Sequence, residues 1–359
     1  MSDLNSLRAQ IDAIDSELVA KLQERIRLAA EVGRVKRSQG SAIFAPGREE
    51  QVFARIQKAA GPDSLLSPKA QRAIWREIIS AMIALEAEIT IAYLGPEGTF
   101  TEQAAHKHFG SSLMYEPMRT IADVFMAVER GEADYGVVPI ENSTEGAVIH
   151  ALDMLAGTEL KIVAESYLPI EHCLLSRSPL EAITVVHSKD QALGQCRDWL
   201  RRHLPEAQLI DCESTARAVQ IAKEREGVAA IAGALASERY AVPLVRKAIQ
   251  DRSDNVTRFF VIGAGQGGKP LGQDRDKTSI LIALKDEVGA LEKAVSAFSQ
   301  RAINLCKIES RPNRQRAWEY HFFIDIEGHW EDPPVKEAIA ELEKICVLVK
   351  WLGSFPKMR

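Results

Sequence analysis

Residues 135–155 read YGVVPIENSTEGAVIHALDML. The apolar run YGVV shows no alternation, as expected of a strand buried on both faces, and the helical-looking AVIHALDML follows after the polar loop PIENSTEG (139–146). Asn142 with Glu145 three residues on predicts a capping box at the helix start. One box uses two side chains, and the loop offers five, Glu141 to Glu145, so the excess needs another explanation. Similar short apolar runs stand at ITIAYLG (89–95), AITVVHS (182–188), AQLIDC (207–212), GVAAIAG (227–233) and RFFVIG (258–263), and most are followed by a polar loop and then an amphipathic segment. Such repetition predicts an α/β sheet whose loops gather at the carboxyl ends of the strands, where these folds bind ligands. Besides PIENSTEG, the loops are GPEGTFTE (95–102), HSKDQALGQC (187–196) and CESTARA (212–218), rich in Ser, Thr, Asn, Gln and Gly.

Outward from this region, 359 residues with 46% hydrophobic and 26% charged content suffice for two or three domains. The net charge of -5 argues against a nucleic-acid partner. No apolar run reaches the span of a membrane helix, and the start MSDLNSLRAQ has neither the basic residues nor the apolar core of an export signal. No membrane contact and a cytoplasmic location are therefore expected. Cys173, Cys196, Cys212, Cys306 and Cys346 are scattered, without a CxxC pair, and read as free, mostly buried thiols. His106 and His108 stand two apart in a helix and face different ways, so no metal site is expected there. GAGQGG (263–268) has the look of a dinucleotide loop, but KPLGQDRDK with Pro270 follows it in place of an amphipathic helix. It reads as linker, placed at 268–276, and neither metal nor cofactor is implied.

Before Ile89 the pattern is helical. Leu4, Leu7, Ile11, Ile14, Leu18, Leu28, Val32 and Val35 follow a seven-residue period with no Gly or Pro until Gly33. At ~1.5 Å per residue that helix runs roughly 50 Å, too long for two short neighbours to cover, so a partner chain is expected. Pro46 and Gly61-Pro62 bracket a second helix, and Ser67-Pro68 opens a third that runs to about Glu88. Arg25 falls where the heptad asks for an apolar side chain, and a charge between helices is costly unless something pairs with it. It either bridges to a carboxylate or serves a ligand. Lys36, eleven residues on, shares its face, whereas Arg8, seventeen residues before, lies roughly 25 Å away and suits a partner's pocket. With Arg48 and Glu49 on the second helix and Glu86 on the third, the set describes a cationic pocket for a small dianion.

Through LRAQID, ERIRLAAEVGRVK, PGREEQVFARI and WREIISAMIALE, in that order, residues 1–89 resemble the all-helical chorismate mutases. The resemblance implies that Arg8 of the partner subunit and Arg25 hold the carboxylates of chorismate, with Arg48 nearby. It also implies that Lys36 donates to the ether oxygen and Glu49 accepts from the ring hydroxyl. A Claisen rearrangement needs no nucleophile, base or metal; it needs the compact conformer and stabilisation of charge growing on the ether oxygen. Two positions depart from the family pattern. Ala45 stands where some members carry an acidic residue, and Glu86 where some carry Gln, so Glu86 must be protonated to donate.

Backbone N–H groups and neutral side chains at helix starts cradle carboxylates, as in solute-binding proteins. The fold alone leaves two readings open: a two-lobed, periplasmic-binding-protein-like carrier, or an enzyme closing on a carboxylic acid. The lack of an export signal and the attached helical unit favour the enzyme. YLGPEGTFTEQAA, ADYGVVPIENSTEGAV, STARA and NVTRFFVIG resemble prephenate dehydratase over residues 90 to 265, in a unit placed at 90–267. The resemblance ties Thr257 of the Thr-Arg-Phe motif most closely to catalysis and implies that Asn142, Ser143, Thr144 and Gln191 line the site. Ser188-Lys189-Asp190-Gln191 stands where the family has Ser-His-Pro-Gln. Loss of carbon dioxide and the ring hydroxyl from prephenate creates an aromatic ring, so no base is needed. The protein must hold both carboxylates, strip water from the departing one and hydrogen-bond the leaving hydroxide. A Thr hydroxyl is too weak an acid to give up its proton freely near neutrality, which makes Thr257 an oriented donor, with Glu141 or Glu145 as candidate proton sources.

From Lys277 the chain spells strand TSILIALK, helix EVGALEKAVSAFSQRA, strands LCKIESRP and WEYHFFIDIEG, helix PPVKEAIAELEKI and strand VLVKWLGSFP. That order, βαββαβ, is ferredoxin-like and is placed at 277–359. DEVGALEKAVSAF and IESRP resemble the ACT domain of prephenate dehydratases. This implies phenylalanine as allosteric effector between paired ACT units, at Val288, Gly289, Ala290 and Leu291 and at Glu309, Ser310, Arg311 and Pro312, in a homodimer or higher homo-oligomer. The expected architecture is therefore multidomain: an all-α unit, a two-lobed α/β unit and an α+β ferredoxin-like unit. The expected function is a bifunctional chorismate mutase and prephenate dehydratase with phenylalanine feedback. A cytosolic amino-acid sensor whose first two units are inactive is the alternative, and the intact Arg8, Arg25, Lys36 and Thr257 argue against it.

Overall fold

The structure, a computed structural model, describes residues 3–39, 44, 46–265, 268–272, 275–284, 287–312 and 320–358. Ala45 and part of GAGQGG lie outside the described residues. Contacts divide the chain into two units, one within residues 1–45, 52–89 and 109–114, the other within 46–51, 90–108 and 115–359.

Helices α1 (Leu4–Ser38), α2 (Pro46–Ala60) and α3 (Pro68–Glu86) come in the expected order. Ser67 caps α3, its hydroxyl accepting from the Ala70 N–H at 3.2 Å, and Pro68 takes a first-turn position that needs no N–H. Ile79, Met82 and Ile83 are buried, as are Phe44 and Phe53, and the guanidinium groups of Arg72 and Arg76 lie over the Phe53 ring. The heptad stripe of α1 is not covered: Leu4, Leu7, Ile11, Ile14, Leu18, Leu28, Val32 and Val35 stay 45–60% exposed.

The other unit holds three sheets. Its first lobe contains β1 (Thr90–Leu94), β2 (Met114–Met118), β3 (Tyr135–Asn142), β4 (Gly146–Ala147) and β5 (Lys161–Pro169). With them go α4 (Phe100–Phe109), α5 (Ile121–Glu129) and α6 (Ile149–Gly157). The second lobe contains β6 (Cys173–Ser176), β7 (Val185–Ser188), β8 (Gln208–Asp211), β9 (Val228–Ala232) and β10 (Leu244–Arg246). Its helices are α7 (Asp190–Gln195), α8 (Arg197–His203), α9 (Thr215–Glu224) and α10 (Ala234–Tyr240). The chain then returns to the first lobe as β11 (Val256–Gly263), which inserts antiparallel between β3 and β5. The two sheets run β2-β1-β3-β11-β5, with β4 on β3, and β10-β6-β9-β7-β8.

The expected capping box does not open α6. Asn142 Oδ1 does accept from the Thr144 and Glu145 N–H groups at 3.0 and 3.2 Å, but Gly146, at φ +81°, turns the chain back so that β4 pairs with β3. Helix α6 starts later, behind Val148, with no side-chain cap.

The third sheet is built from β12 (Asp276–Leu284), β13 (Leu305–Pro312), β14 (Tyr320–Glu327) and β15 (Cys346–Pro356), with α11 (Ala290–Ser299) and α12 (Pro333–Ile345). Its antiparallel order β13-β14-β12-β15 is the predicted ferredoxin-like unit. One face is covered by its helices through Ala297, Phe298, Ala338 and Leu342. On the other, Leu281, Phe323, Leu352 and Phe355 share a core with Ile140, Leu152, Ile162 and Phe260 of the first lobe. Gly353 makes this approach feasible, because a Cβ there would stand 2.1 Å from the Ile162 carbonyl oxygen. Of the free cysteines, Cys173 and Cys196 are buried, whereas Cys306 is exposed, against expectation. Among the described residues no helix is long and apolar enough to cross a membrane.

Candidate active sites

In the helical unit three expected residues meet. Glu86, buried at the end of α3, lies against Gly33 of α1, where a Cβ would come within 2.8 Å of the Glu86 Cγ. Glycine at that point is what admits the side chain. Lys36 Nζ is 3.8 Å from Glu86 Oε2, and the Arg25 guanidinium contacts the Met82 sulfur and lies 5.4 Å from the Trp75 ring centroid. Burial lowers the Arg25 pKa while Glu86 acts to raise it. Two cations, Arg25 and Lys36, thus act on the one Glu86 carboxyl. Arg8 is exposed on α1. Arg48 and Glu49 fall within the other unit. Arg48 Nη1 is 3.5 Å from Gln51 Oε1, and the buried Glu49 lines a narrow cleft with His108, Ala164, Glu165 and Met358.

In the α/β unit a cavity of about 600 Å³ is lined by both lobes. Three helix starts reach it: α4 through Thr99, Phe100 and Thr101, α5 through Ile121, and α9 through Ser214 and Thr215. Their free N–H groups and positive dipole ends suit carboxylates. Arg119 and Lys189 add two cations, and Phe100, Ile170 and Phe259 an apolar surface.

On the wall of this cavity β3 and β11 bring Asn142 and Thr257 together as register partners. Asn142 Nδ2 donates to Thr257 Oγ1 at 2.8 Å and to Asn255 Oδ1 at 2.7 Å. Its oxygen accepts from the Thr144 hydroxyl at 2.5 Å as well as from the two loop amides, which fixes the orientation of the amide. Asn255 Nδ2 donates to Gln195 Oε1 at 2.9 Å, and His172 Nε2 lies 2.8 Å from the same oxygen. Burial lowers the His172 pKa, with the Gln195 bond opposing, so the ring is neutral near neutrality and donates from Nε2. Because the Asn142 amide occupies an acceptor site on Thr257 Oγ1, the hydroxyl proton of Thr257 is left for the cavity.

Gln191 lines the cavity. Ser143 instead braces the loop, donating to the Asp254 carbonyl at 3.2 Å and accepting from the Val256 N–H at 3.0 Å. Thr144 acts through Asn142 and accepts from Gln195 Nε2 at 3.3 Å. Sequence reasoning misses Arg119, His172, Gln195 and Asn255. For Asn255 a signal exists, since it stands two residues before Thr257 and so on the same strand face. Glu145 lines the cavity, but Glu141 is no proton source there: strand alternation turns it away from Asn142. Its carboxylate lies 2.7 Å from Lys307 Nζ and 3.9 Å from Arg258 Nη1.

Arg258 is buried with Glu165 and Asp325, at 2.8 and 2.6 Å, and Lys277 Nζ is 3.0 Å from Glu165. Burial works against the Arg258 charge, yet Asp325 and Glu165 outweigh it and raise its pKa. In the ferredoxin-like unit Val288 is fully exposed, Leu291 is exposed and Gly289 opens α11 at φ +80°. Glu309 to Pro312 end the edge strand β13, with Ser310 facing solvent and Arg311 Nη2 3.4 Å from Asp153 Oδ1.

Models of three known families match successive stretches of the chain: chorismate mutase type II over residues 7–87, prephenate dehydratase over 91–267 and the ACT domain over 278–344. A bifunctional chorismate mutase/prephenate dehydratase from Aquifex aeolicus (strain VF5) is 46% identical over 360 residues, covering 99% of each chain. One from Pseudomonas aeruginosa is 40% identical over 362 residues, covering 99% of this chain and 98% of that one. Among solved structures, a prephenate dehydratase from Arthrobacter aurescens in complex with L-Phe is 35% identical, with a TM-score of 0.70 over 75% of this chain and 90% of that one.

Proposed function

The chain belongs to the bifunctional chorismate mutase/prephenate dehydratase family, and on that premise we propose how its residues divide the two reactions. It rearranges chorismate to prephenate, then removes carbon dioxide and water from prephenate to give phenylpyruvate.

For the first step, a second copy of the chain covers the α1 stripe and brings its Arg8 to the pocket of Arg25, Lys36 and Glu86. The exposure of eight apolar residues on α1 supports this, as does the rise of roughly 25 Å between Arg8 and Arg25 along one helix. Lys36 and a protonated Glu86 stabilise charge on the ether oxygen. Arg48 and Glu49 join the set on the family pattern alone.

For the second step, Thr257 is the donor to the departing hydroxide. The observation that supports this is the Asn142 amide bonded to Thr257 Oγ1, which uses the oxygen as acceptor and leaves the threonine proton to donate elsewhere. Of the two loop glutamates, Glu145 is the one that lines the cavity and is assigned to complete proton delivery. A cation held against the departing carboxylate would stabilise the ground state and slow loss of carbon dioxide. Arg119 and Lys189 are therefore assigned to the pyruvyl carboxylate, and Phe100, Ile170 and Phe259 to the side that loses carbon dioxide. Phenylalanine is the effector, bound between ACT units at Val288 to Leu291 and Glu309 to Pro312; the L-Phe complex of the Arthrobacter relative supports it.

The test is to give the purified chain chorismate and follow phenylpyruvate with and without phenylalanine. Accumulation of prephenate alone would refute the dehydratase assignment. Mixing Arg8→Ala with Arg25→Ala chains should restore part of the mutase activity, since one pocket of each mixed dimer regains both arginines. No recovery after verified subunit exchange rules out the trans arrangement.

A further inference from the structure

We propose that Glu141 and Arg258 are positioning residues through which the ACT unit sets the geometry of the dehydratase site. Thr257 and Asn142 are register partners across β11 and β3, and the neighbouring pair is Arg258 and Glu141. Successive side chains on a strand point to opposite faces, so the first pair meets the cavity and the second meets the ACT sheet. A matching pair stands there, because Lys307 and Asp325 are register partners across β13 and β14. Lys307 Nζ lies 2.7 Å from Glu141 Oε2, and Asp325 Oδ2 lies 2.6 Å from Arg258 Nη1. Two cross-strand pairs, one from each sheet, are thus held face to face by charge. The fully buried Glu165 holds Arg258 from the side, and the Ser279 hydroxyl donates to Asp325 at 2.5 Å. The Arg258–Asp325 pair is buried, so separating it would leave a charge without its partner, whereas Glu141 is half-buried and the Lys307–Glu141 pair adds a weaker tie between the same two sheets.

Both sheets carry an irregularity beside these pairs. Ile140 is an extra residue in β3 between the partners of Arg258 and Phe259, and Cys306 an extra residue in β13 between Leu305 and Lys307. A bulge lets a strand re-aim a side chain while the ladder continues on either side. Lys307 also stands two residues before Glu309, on the strand that bears the effector motif. Displacement of β13 by phenylalanine is passed through Lys307 and Asp325 to Glu141 and Arg258, and by the adjacent peptide bonds to Asn142 and Thr257.

The inference rests on Thr257 and Asn142 acting on prephenate, so Thr257→Val is the reference. Lys307→Met in the full chain is expected to lower dehydratase kcat about tenfold, within the range of ordinary couplings between sites, with little change in KM and normal mutase activity. Inhibition by phenylalanine should weaken in the same variant while calorimetry still detects phenylalanine binding. Lys307→Arg, which keeps the charge, should restore both properties. Adding Glu141→Gln to Lys307→Met should cost no more than either change alone, since the pair is already broken. Wild-type turnover with full inhibition in Lys307→Met, or additive losses in the double variant, overturns the proposal. If Lys307→Met folds poorly, seen as mutase activity falling in step, Asp325→Asn is judged by the same criteria. A fully active Thr257→Val would instead overturn the site on which the coupling acts.

Discussion

Gly33→Ala adds one methyl group to the mutase pocket. That group would stand 2.8 Å from Glu86 Cγ and 3.1 Å from its Cβ. Carbon atoms in ordinary contact are ~3.5–4.0 Å apart, so Glu86 must yield by roughly 0.7–1.2 Å. A glutamate can swing by that much cheaply, but its carboxyl, 3.8 Å from Lys36, is carried along. Misplacement on the order of 1 Å costs about a hundredfold in rate, or about 2.7 kcal/mol of transition-state stabilisation. Stability moves the other way, since Ala in a helix interior is ~0.8–1 kcal/mol more favourable than Gly. The variant should therefore keep its Tm within a few degrees, consume chorismate about a hundredfold more slowly, and convert added prephenate at the wild-type rate. A wild-type mutase rate would remove Glu86 from the reacting pocket. Parallel loss of both activities with a lower Tm would show damage to the helical unit instead.

Thr257→Val keeps the shape of the side chain and removes the donor, so dehydratase kcat should fall on the order of a hundredfold while mutase activity holds; a smaller loss in prephenate assays would move the hydroxide donor elsewhere. Glu86→Gln donates at every pH and should raise mutase activity at neutral to alkaline pH and flatten the pH profile; a wild-type profile already as flat would mean that Glu86 does not titrate in the working range. Ser310→Ala should weaken phenylalanine inhibition of the dehydratase and leave uninhibited turnover near normal; unchanged inhibition would place the effector away from β13.

Long periodic elements are legible in the order of amino acids. The heptad of α1 and the unbroken apolar strand VAAIA (β9) declare their class by spacing alone. Strand β2, MYEPM, is half exposed, lies at a sheet edge and contains Pro117, so it carries no such signal. Strand β5, KIVAESYLP, hides Glu165 and Ser166 inside the protein, and charge there reads as surface until its partners are known. Those partners, Arg258 and Lys277, lie 93 and 112 residues away. The site follows the same rule. Asn142 and Thr257 each stand out in the sequence, but that one orients the other depends on a pairing across 115 residues. Whether Glu141 or Glu145 lines the cavity is undecidable from the loop's residues, because it depends on the hairpin through Gly146, and the capping box is the wrong motif.

The late return of β11 sets an order of assembly. During synthesis β3 and β5 emerge with the place between them vacant, and the first lobe cannot close its sheet until residues 256–263 have left the ribosome. The second lobe, contiguous from Cys173 to Arg246, has no such wait. The lobe encoded first is therefore completed last, with two strand edges unpaired in the interval. A chain stopped near residue 250 can shape the second lobe, but it lacks both the strand that joins β3 to β5 and the Thr257 hydroxyl on the cavity wall.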